Sequence, residues 1–291
     1  MKPAPFFYHR PETVAEAIDA LSRLDDAKLL AGGQSLMPMM NFRYATPANV
    51  VDLNRVPELA GIAEDGDALV IGAMTRQREI KESPLVATRC PLLAEALHHV
   101  GHVQTRNRGT IGGSLAHLDP AAELPGVLLA HDAVLEVRGS DGTRPVPMSQ
   151  WTLGYMTPAL EPDELLVRVR IPSWPPGHGF GFSEVARRHG DFAMAGAGVL
   201  VQMDGDSIRR CSIALVGVDD GPVRIDAAEA LLTGNRPTPD RLDAAAQEAH
   251  AVPGIEDVHA SAAYRRKIAA VVTRRALERA LERTGSGASL P

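Results

Sequence analysis

Cysteine is scarce in this sequence. Only Cys90 and Cys211 occur among 291 residues, and they are far apart rather than in a Cys-x-x-Cys pair. An iron–sulfur cluster of the usual kind needs four protein ligands, so this chain alone cannot hold one. We interpret both residues as small apolar side chains that are buried in a core.

Aromatic residues and an excess of positive charge are also lacking. Aromatic side chains make up 4% of the chain, and the formal net charge is −6. Nucleic-acid surfaces need a basic face or stacked aromatic rings, so we expect no nucleic-acid partner. No apolar run approaches the roughly 18 residues that cross a bilayer, and the N-terminus has no signal-peptide core. We therefore expect no membrane association and a cytoplasmic location.

The strongest positive signal is a pair of short motifs with adjacent glycines. They are AGGQSL at 31–36 and GTIGGSLA at 109–116. Where Cβ atoms are missing, successive backbone N–H groups can approach an anion and form a nest for phosphate. Neither motif is a P-loop or a Gly-x-Gly-x-x-Gly fingerprint. We predict that the two motifs form opposing walls around one phosphate-bearing cofactor, and the alternative is a pair of ordinary strand-end turns.

Polar residues cluster directly after the second motif. They are His117, Asp119 and Glu123. Carboxylates accept hydrogen bonds from sugar hydroxyl groups, so we expect contacts with a cofactor, with structural capping as the alternative. Two of the three are carboxylates without a close His pair, which argues against a metal site. His98 and His102 lack an accompanying Glu-x-x-His motif, so we expect no metal there either.

Hydrophobic periodicity and chain breakers predict an α+β fold. Strands are expected at 28–31, 49–53, 68–73, 133–138 and 164–171, and a hairpin at 198–216 with its turn at 204–206. Thr13 and Glu16 form a capping box, and Pro91 is well placed to begin a helix that runs to about Val100. The Pro- and Gly-rich stretch 173–179 is the clearest linker and predicts a domain boundary near residue 177.

A long C-terminal helix is predicted from apolar residues at helical spacing. One broad apolar face is expected to carry Tyr264, Ile268, Val271, Val272, Ala276 and Leu281. Residues 286–291 form the expected frayed tail. By contrast, the segment Arg187–Gly196 is by itself typical of a surface corner.

Four motifs, in this order along the chain, resemble a known family. They are AGGQSL at 31–36, TIGGS at 110–114, DPAAELP at 119–125 and RRHGDFA at 187–193. The sequence is similar to the FAD-binding medium subunit of molybdenum hydroxylases, the group of carbon monoxide dehydrogenase and xanthine dehydrogenase. The similarity extends from Pro5-Phe6 to the last helix.

The resemblance implies a fold and a domain organisation. Residues 1–177 would form a two-lobed FAD-binding domain of the vanillyl-alcohol-oxidase (PCMH) type, with the lobes divided near residues 55–60. Residues 178–285 would form the C-terminal domain of carbon monoxide dehydrogenase flavoproteins, a small antiparallel sheet with helices. This organisation agrees with the linker and the hairpin that the residues themselves predict.

The resemblance also implies a set of FAD-binding residues. They are Leu30, Ala31, Gly32, Gly33, Gln34, Ser35, Leu36, Val100, Gly101, Thr110, Ile111, Gly112, Gly113, Ser114, His117, Glu123 and Leu166. Glu123 stands where the family usually has Asp, and Ser114 where Asn is common. Phe192 would cover one face of the isoalloxazine ring and control access of the electron acceptor. No catalytic residue is expected, and the resemblance assigns no role to Arg187, His189 or Asp191.

The implied activity is electron transfer within a larger oxidoreductase. A large molybdopterin subunit would hydroxylate the substrate, and a small [2Fe–2S] subunit would pass electrons to FAD in this chain and so to an external acceptor, in an (αβγ)2 heterohexamer. Neither the substrate nor the acceptor follows from this chain. One alternative is a stand-alone FAD oxidoreductase with His189 or Tyr155 as base, and another is a non-redox nucleotide-binding module.

Overall fold

The computed structural model describes residues 1–285, so the expected tail at 286–291 lies outside the described residues. The chain begins with a small parallel sheet of order β1-β3-β2, formed by β1 (Phe7–His9), β2 (Ala27–Leu30) and β3 (Asn49–Asp52). Helix α1 (Val14–Arg23) covers it, and Thr13 caps that helix by accepting the Glu16 N–H at 3.1 Å. Helix α2 (Leu36–Asn41) follows β2 across the first glycine motif.

A five-stranded antiparallel sheet forms the centre of the molecule. Its strands are β4 (Ile62–Asp65), β5 (Ala68–Gly72), β6 (Val134–Gly139), β7 (Gly142–Pro147) and β10 (Leu165–Pro172). A separate short hairpin, formed by β8 (Thr152–Gly154) and β9 (Thr157–Pro158), precedes β10. The order is β4-β5-β10-β6-β7. Between β5 and β6 run six short helices: α3 (Gln77–Glu82), α4 (Pro84–Arg89), α5 (Pro91–Ala96), α6 (Val103–Arg108), α7 (Ile111–His117) and α8 (Glu123–Ala130).

The C-terminal part is a four-stranded antiparallel sheet with helices on it. Strands β11 (Gly179–Val185), β12 (Ala195–Asp204), β13 (Ser207–Val216) and β14 (Val223–Arg224) are followed by α9 (Asp226–Leu232), α10 (Pro239–Gln247) and α11 (Ala262–Glu282). Helix α11 lies close on β11, because a Cβ at Gly179 would be 1.9 Å from the carbonyl oxygen of Ala280. The predicted hairpin is therefore the β12–β13 pair.

The largest hydrophobic core joins the central sheet to the C-terminal sheet. Phe180 and Phe182 of β11 are buried together with Leu92 of α5 and Trp151, which donates its indole N–H to the carbonyl oxygen of Leu115 at 2.9 Å. The α+β prediction is confirmed. Two details differ: α5 ends at Ala96 rather than near Val100, and the buried face of α11 is offset from the predicted one.

The offset of the buried face leaves two residues of the predicted apolar set in solvent. Tyr264 is 48% exposed and Val271 is 41% exposed, whereas Ile268, Val272 and Ala276 are buried. The buried face also includes Ala269 and Leu277, so it extends around the helix away from Tyr264 and Val271.

Candidate functional site

The first glycine motif presents a row of free backbone donors. Strand β2 ends at Leu30, the chain turns with Gly33 at φ +74°, and α2 begins at Leu36. The N–H groups of residues 32–36 have no acceptor within the described part of the chain. Ser35 makes no side-chain capping bond, so its hydroxyl is available too. Consecutive free amides at a helix start are the donor set that a phosphate group requires.

The second motif is a helix start rather than a loop. Thr110 caps α7 by accepting the Gly113 N–H at 3.0 Å. The N–H of Gly112 donates to the carbonyl oxygen of Ala73 at 2.8 Å, and that of Ile111 donates to Thr75 at 3.3 Å. These amides are thus used inside the chain. The second motif therefore forms no amide nest, contrary to the prediction. Gly112 instead serves close packing, because a Cβ there would lie 2.6 Å from that of Ala73.

The two motifs nevertheless lie against each other. A Cβ placed on Gly32 would be 2.2 Å from the carbonyl oxygen of Arg108 and 2.8 Å from the Cα of Gly109. A Cβ on Gly113 would lie 3.5 Å from that of Ala31. Main chain therefore meets main chain, which explains why glycine stands at 32 without an unusual φ. The alternative of two unrelated strand-end turns does not describe this arrangement.

Glu123 is a buried acid behind the second motif. It begins α8 and is only 6% exposed. Burial, together with the nearby charges of Glu184 and Asp119, raises the pKa of Glu123 to about 8. The carboxyl is therefore largely protonated at neutral pH and can donate as well as accept a hydrogen bond. Asp119 caps neither α7 nor α8, and its Oδ1 instead closes the turn between the two helices by accepting the N–H of Ala121 at 2.9 Å.

Glu184 is a residue that motif reasoning did not find. It lies on β11, and its Oε1 is 3.2 Å from Nδ1 of His99, while its Oε2 is buried without a hydrogen-bond partner among residues 1–285. His117, at the end of α7, is half-buried, and burial lowers its pKa. A neutral imidazole at that place can serve as donor or acceptor.

Replacing Glu123 with glutamine should stabilise the protein increasingly as the pH rises. The folded-state pKa is raised above the unfolded value of about 4.5. Between pH 4.5 and 8 the unfolded chain releases the proton and the folded chain keeps it, so wild-type stability falls by about 1.4 kcal/mol per pH unit from this group. Thermal melts of Glu123→Gln and wild-type apoprotein from pH 5 to 8 should diverge. The exposed Glu161→Gln variant is the control, and parallel curves for Glu123→Gln would refute the expectation.

The turn between β11 and β12 packs against the residues after α5. A Cβ at Gly190, where φ is +84°, would lie 2.9 Å from the carbonyl oxygen of Gly101. That carbonyl and the one of Val100 both accept from the guanidinium of Arg106, at 3.0 and 2.7 Å. Phe192 on this turn is 64% exposed. The chain therefore brings Phe192, Val100 and Gly101 to one region although they are far apart in sequence.

Three other candidate residues have different surroundings. His189 stacks loosely near His102, with ring centroids 6.3 Å apart, and Arg187 lies 4.0 Å from Asp191. Tyr155 is 60% exposed in the turn between β8 and β9.

In residues 1–285 no group of three or more metal-ligating side chains is found. No helix in the same range is long and apolar enough to cross a bilayer.

Leu166 belongs to the same hydrophobic core as Ile111 and Leu115 of the second motif. It is 5% exposed on β10, next to a bulge between Leu166 and Arg168. The neighbouring carbonyl of Val167 accepts the N–H of Ala73 at 2.9 Å, and Ala73 in turn accepts from Gly112. Ala73, directly after β5, thereby connects β10 to the start of α7 through its two backbone hydrogen bonds.

Comparison with known families decides what kind of protein carries this site. A family described as FAD binding domain in molybdopterin dehydrogenase matches residues 4–174, and one described as CO dehydrogenase flavoprotein C-terminal domain matches residues 180–280. The chain belongs to the FAD-binding medium subunits of molybdenum hydroxylases. It is accordingly an oxidoreductase subunit, and its cofactor is FAD.

Similar medium subunits extend over nearly the whole chain. The carbon monoxide dehydrogenase medium chain of Hydrogenophaga pseudoflava is 40% identical to this chain. The alignment covers 97% of this chain and 99% of the relative. Subunit alpha of the 6-hydroxypseudooxynicotine dehydrogenase complex of Paenarthrobacter nicotinovorans is 41% identical, with 97% of each covered. A structure of carbon monoxide dehydrogenase from Hydrogenophaga pseudoflava superposes with a TM-score of 0.96 at 41% identity, covering 98% and 100% of the two chains.

Proposed function

We propose that this medium subunit carries electrons from the [2Fe–2S] clusters of a small partner subunit, through FAD, to an external acceptor. The observation that carries the proposal is the row of free amides in the first glycine motif, which lies against the second motif in a chain of this family. When bound, FAD supplies redox chemistry that amino-acid side chains do not have. The role of the polypeptide is to hold that cofactor and to limit access to it.

The proposed FAD site has the diphosphate at residues 31–36. The five free N–H groups and the Ser35 hydroxyl supply its donors. Thr110 to Ser114 would form the opposite rim through their packing, and Glu123 and His117 would pair with hydroxyl groups of the cofactor. Leu30 and Leu166 give the site apolar contacts, while Val100, Gly101 and Phe192 lie beside the proposed position of the flavin ring.

The cysteines support a cluster-bearing partner chain. Both thiols are buried, Cys90 beside Nε2 of His131 at 3.2 Å. Burial raises the pKa of Cys90 to about 12 and also raises that of Cys211, so neither is a ready thiolate ligand. Clusters that deliver electrons to FAD would then belong to another polypeptide. We propose a small [2Fe–2S] subunit and a large molybdopterin subunit as partners, in an (αβγ)2 assembly in the cytoplasm.

Affinity purification of the tagged full-length chain from its native host tests this function. The expected preparation is yellow, contains two further chains, and shows bleaching of the flavin absorbance when the iron–sulfur clusters are reduced. A colourless preparation that stays colourless after FAD is added would instead support a non-redox nucleotide-binding module. A yellow single chain that oxidises a substrate by itself would support a stand-alone oxidoreductase.

Removing the Phe192 side chain should alter acceptor reactivity more than FAD content. Phe192 is 64% exposed, so its contribution to folding is small, and a ring that partly covers the flavin would limit approach of an acceptor. In the isolated FAD-loaded chain, Phe192→Ala should change the rate of reoxidation by a soluble acceptor about threefold or more, with FAD affinity within about twofold. Leu153→Ala, which changes another exposed apolar residue, is the control. Equal loss of FAD and of reactivity would mean that Phe192 supports the fold.

A further inference from the structure

A side-chain bridge joins the two glycine motifs from behind. Asn54 lies in a short 3-10 turn (Leu53–Arg55) after β3. Its Nδ2 donates to the carbonyl oxygen of Ala31, in the first motif, at 3.0 Å. Its Oδ1 accepts from a terminal nitrogen of Arg76 at 2.5 Å. One amide side chain thus holds the first motif with one end and an arginine with the other.

Arg76 continues the bridge to the second motif. It precedes α3, and its other terminal nitrogen donates to the carbonyl oxygen of Arg108. That oxygen is the atom against which Gly32 packs. The backbone follows the same path, since Gln77 donates its N–H to the carbonyl oxygen of Gly109 at 2.9 Å. The guanidinium therefore fixes the contact point of the two motifs.

The bridge is itself anchored in the first sheet. The hydroxyl group of Tyr8 on β1 donates to Asp52 Oδ2 at 2.6 Å, and Asp52 accepts the N–H of Asn54 through Oδ1 at 2.9 Å. The turn that carries Asn54 is thereby held at the end of β3. A hydrogen-bonded chain runs from β1 through β3 to both glycine motifs.

The positive charge of the bridge is only partly balanced, because Glu79 and Asp52 are the nearby carboxylates that act to raise the pKa of Arg76. Within residues 1–285 neither Arg76 nor Arg108 has a carboxylate at salt-bridge distance. Burial and the charge of Arg108 lower the pKa of Arg76, but a guanidinium remains protonated in proteins. Two close positive charges beside free amides repel each other until an anion binds, so a diphosphate would relieve this repulsion.

We propose that Asn54 and Arg76 are positioning residues that hold the two motifs together and set the affinity of the chain for the FAD diphosphate. The proposal rests on the FAD site proposed above. Neither residue belongs to a glycine motif; they act through the carbonyl groups of Ala31 and Arg108. Their hydrogen bonds form one path, so the loss of either end breaks the same connection.

FAD titrations of the full-length apoprotein test this role. Asn54→Ala and Arg76→Ala should each weaken FAD binding about tenfold or more. The double variant should lose little more than the weaker-binding single variant, because both remove one connection. Arg76→Lys keeps the charge but cannot bridge two acceptors in a fixed fork, so it should bind FAD much as Arg76→Ala does. Arg78→Ala, on the exposed side of the same helix, is the matched control and should bind normally.

Thermal melts of the apoproteins separate positioning from general destabilisation. Circular dichroism should show that Arg76→Ala is folded. Its loss of FAD affinity in the titration should exceed the loss seen in other variants of equal Tm. Normal FAD binding by Asn54→Ala and Arg76→Ala would overturn the proposal, and so would additive losses in the double variant. Gly33→Asp serves as the reference variant. If Gly33→Asp also binds FAD normally, the proposed FAD site is misplaced. If only Gly33→Asp loses FAD binding, the site stands and the bridge is refuted.

Discussion

Gly33→Asp should abolish FAD binding by the full-length chain. Gly33 is the second of the five residues with free amides, and its φ is +74°. A carboxylate there would repel the diphosphate and would itself take up N–H groups that the cofactor needs. Hydrogen bonds to charged groups contribute about 1.5–3 kcal/mol each, so a loss of about 100-fold or more in affinity is expected. Flavin absorbance of the purified chain and an FAD titration measure it.

Two further variants isolate the charge from the shape. Gly33→Asn has nearly the same size and tolerates a positive φ, so it should bind FAD more tightly than Gly33→Asp does. Space is not the obstacle, because a Cβ at Gly33 would meet only the flexible side chains of Met37 and Leu30, at 3.2 and 3.3 Å. Gly66→Asp introduces the same acid at another positive-φ glycine with open surroundings and should be harmless. Full flavin content in Gly33→Asp would contradict the placement of the diphosphate.

Local signals in the sequence predict much of the fold and one wall of the site. Thr13 and Pro91 begin helices as capping rules require, and the turn at 204–206 joins two long strands. The first motif is recognisable because its physical requirement is local: adjacent residues must turn and leave their amides free. Family resemblance then supplies the identity of the cofactor, which neither composition nor spacing could.

The rest depends on contacts between distant parts of the chain. The sequence Ile-Gly-Gly-Ser has poor helix propensity, so no local rule predicts that α7 starts at Ile111. The structure places it there because Gly112 can approach Ala73 and donate to it. Asn54 and Arg76 carry no motif at all, and their partners lie 23 and 32 residues away. Glu184 likewise becomes conspicuous only when β11 brings it near Glu123.

Gly32→Ala should separate the two motifs and weaken both the fold and the FAD site. The added Cβ would lie 2.2 Å from the carbonyl oxygen of Arg108 and 2.8 Å from the Cα of Gly109. Both are backbone atoms, so one of the two main chains must move rather than a flexible side chain. Overpacking of this kind costs about 1–3 kcal/mol. The same movement would pull Arg108 away from the guanidinium of Arg76 and so loosen the bridge between the motifs.

Melting curves and FAD titrations of the full-length chain measure both effects. We expect a clearly lower apoprotein Tm and a decrease in FAD affinity of about tenfold or more. Gly154→Ala is the control, because a Cβ there meets nothing within 4 Å and the residue has no positive φ. If Gly32→Ala melts and binds FAD as Gly154→Ala does, the two motifs are not held in contact in solution. Loss of stability with unchanged affinity would mean that the first motif alone holds the diphosphate.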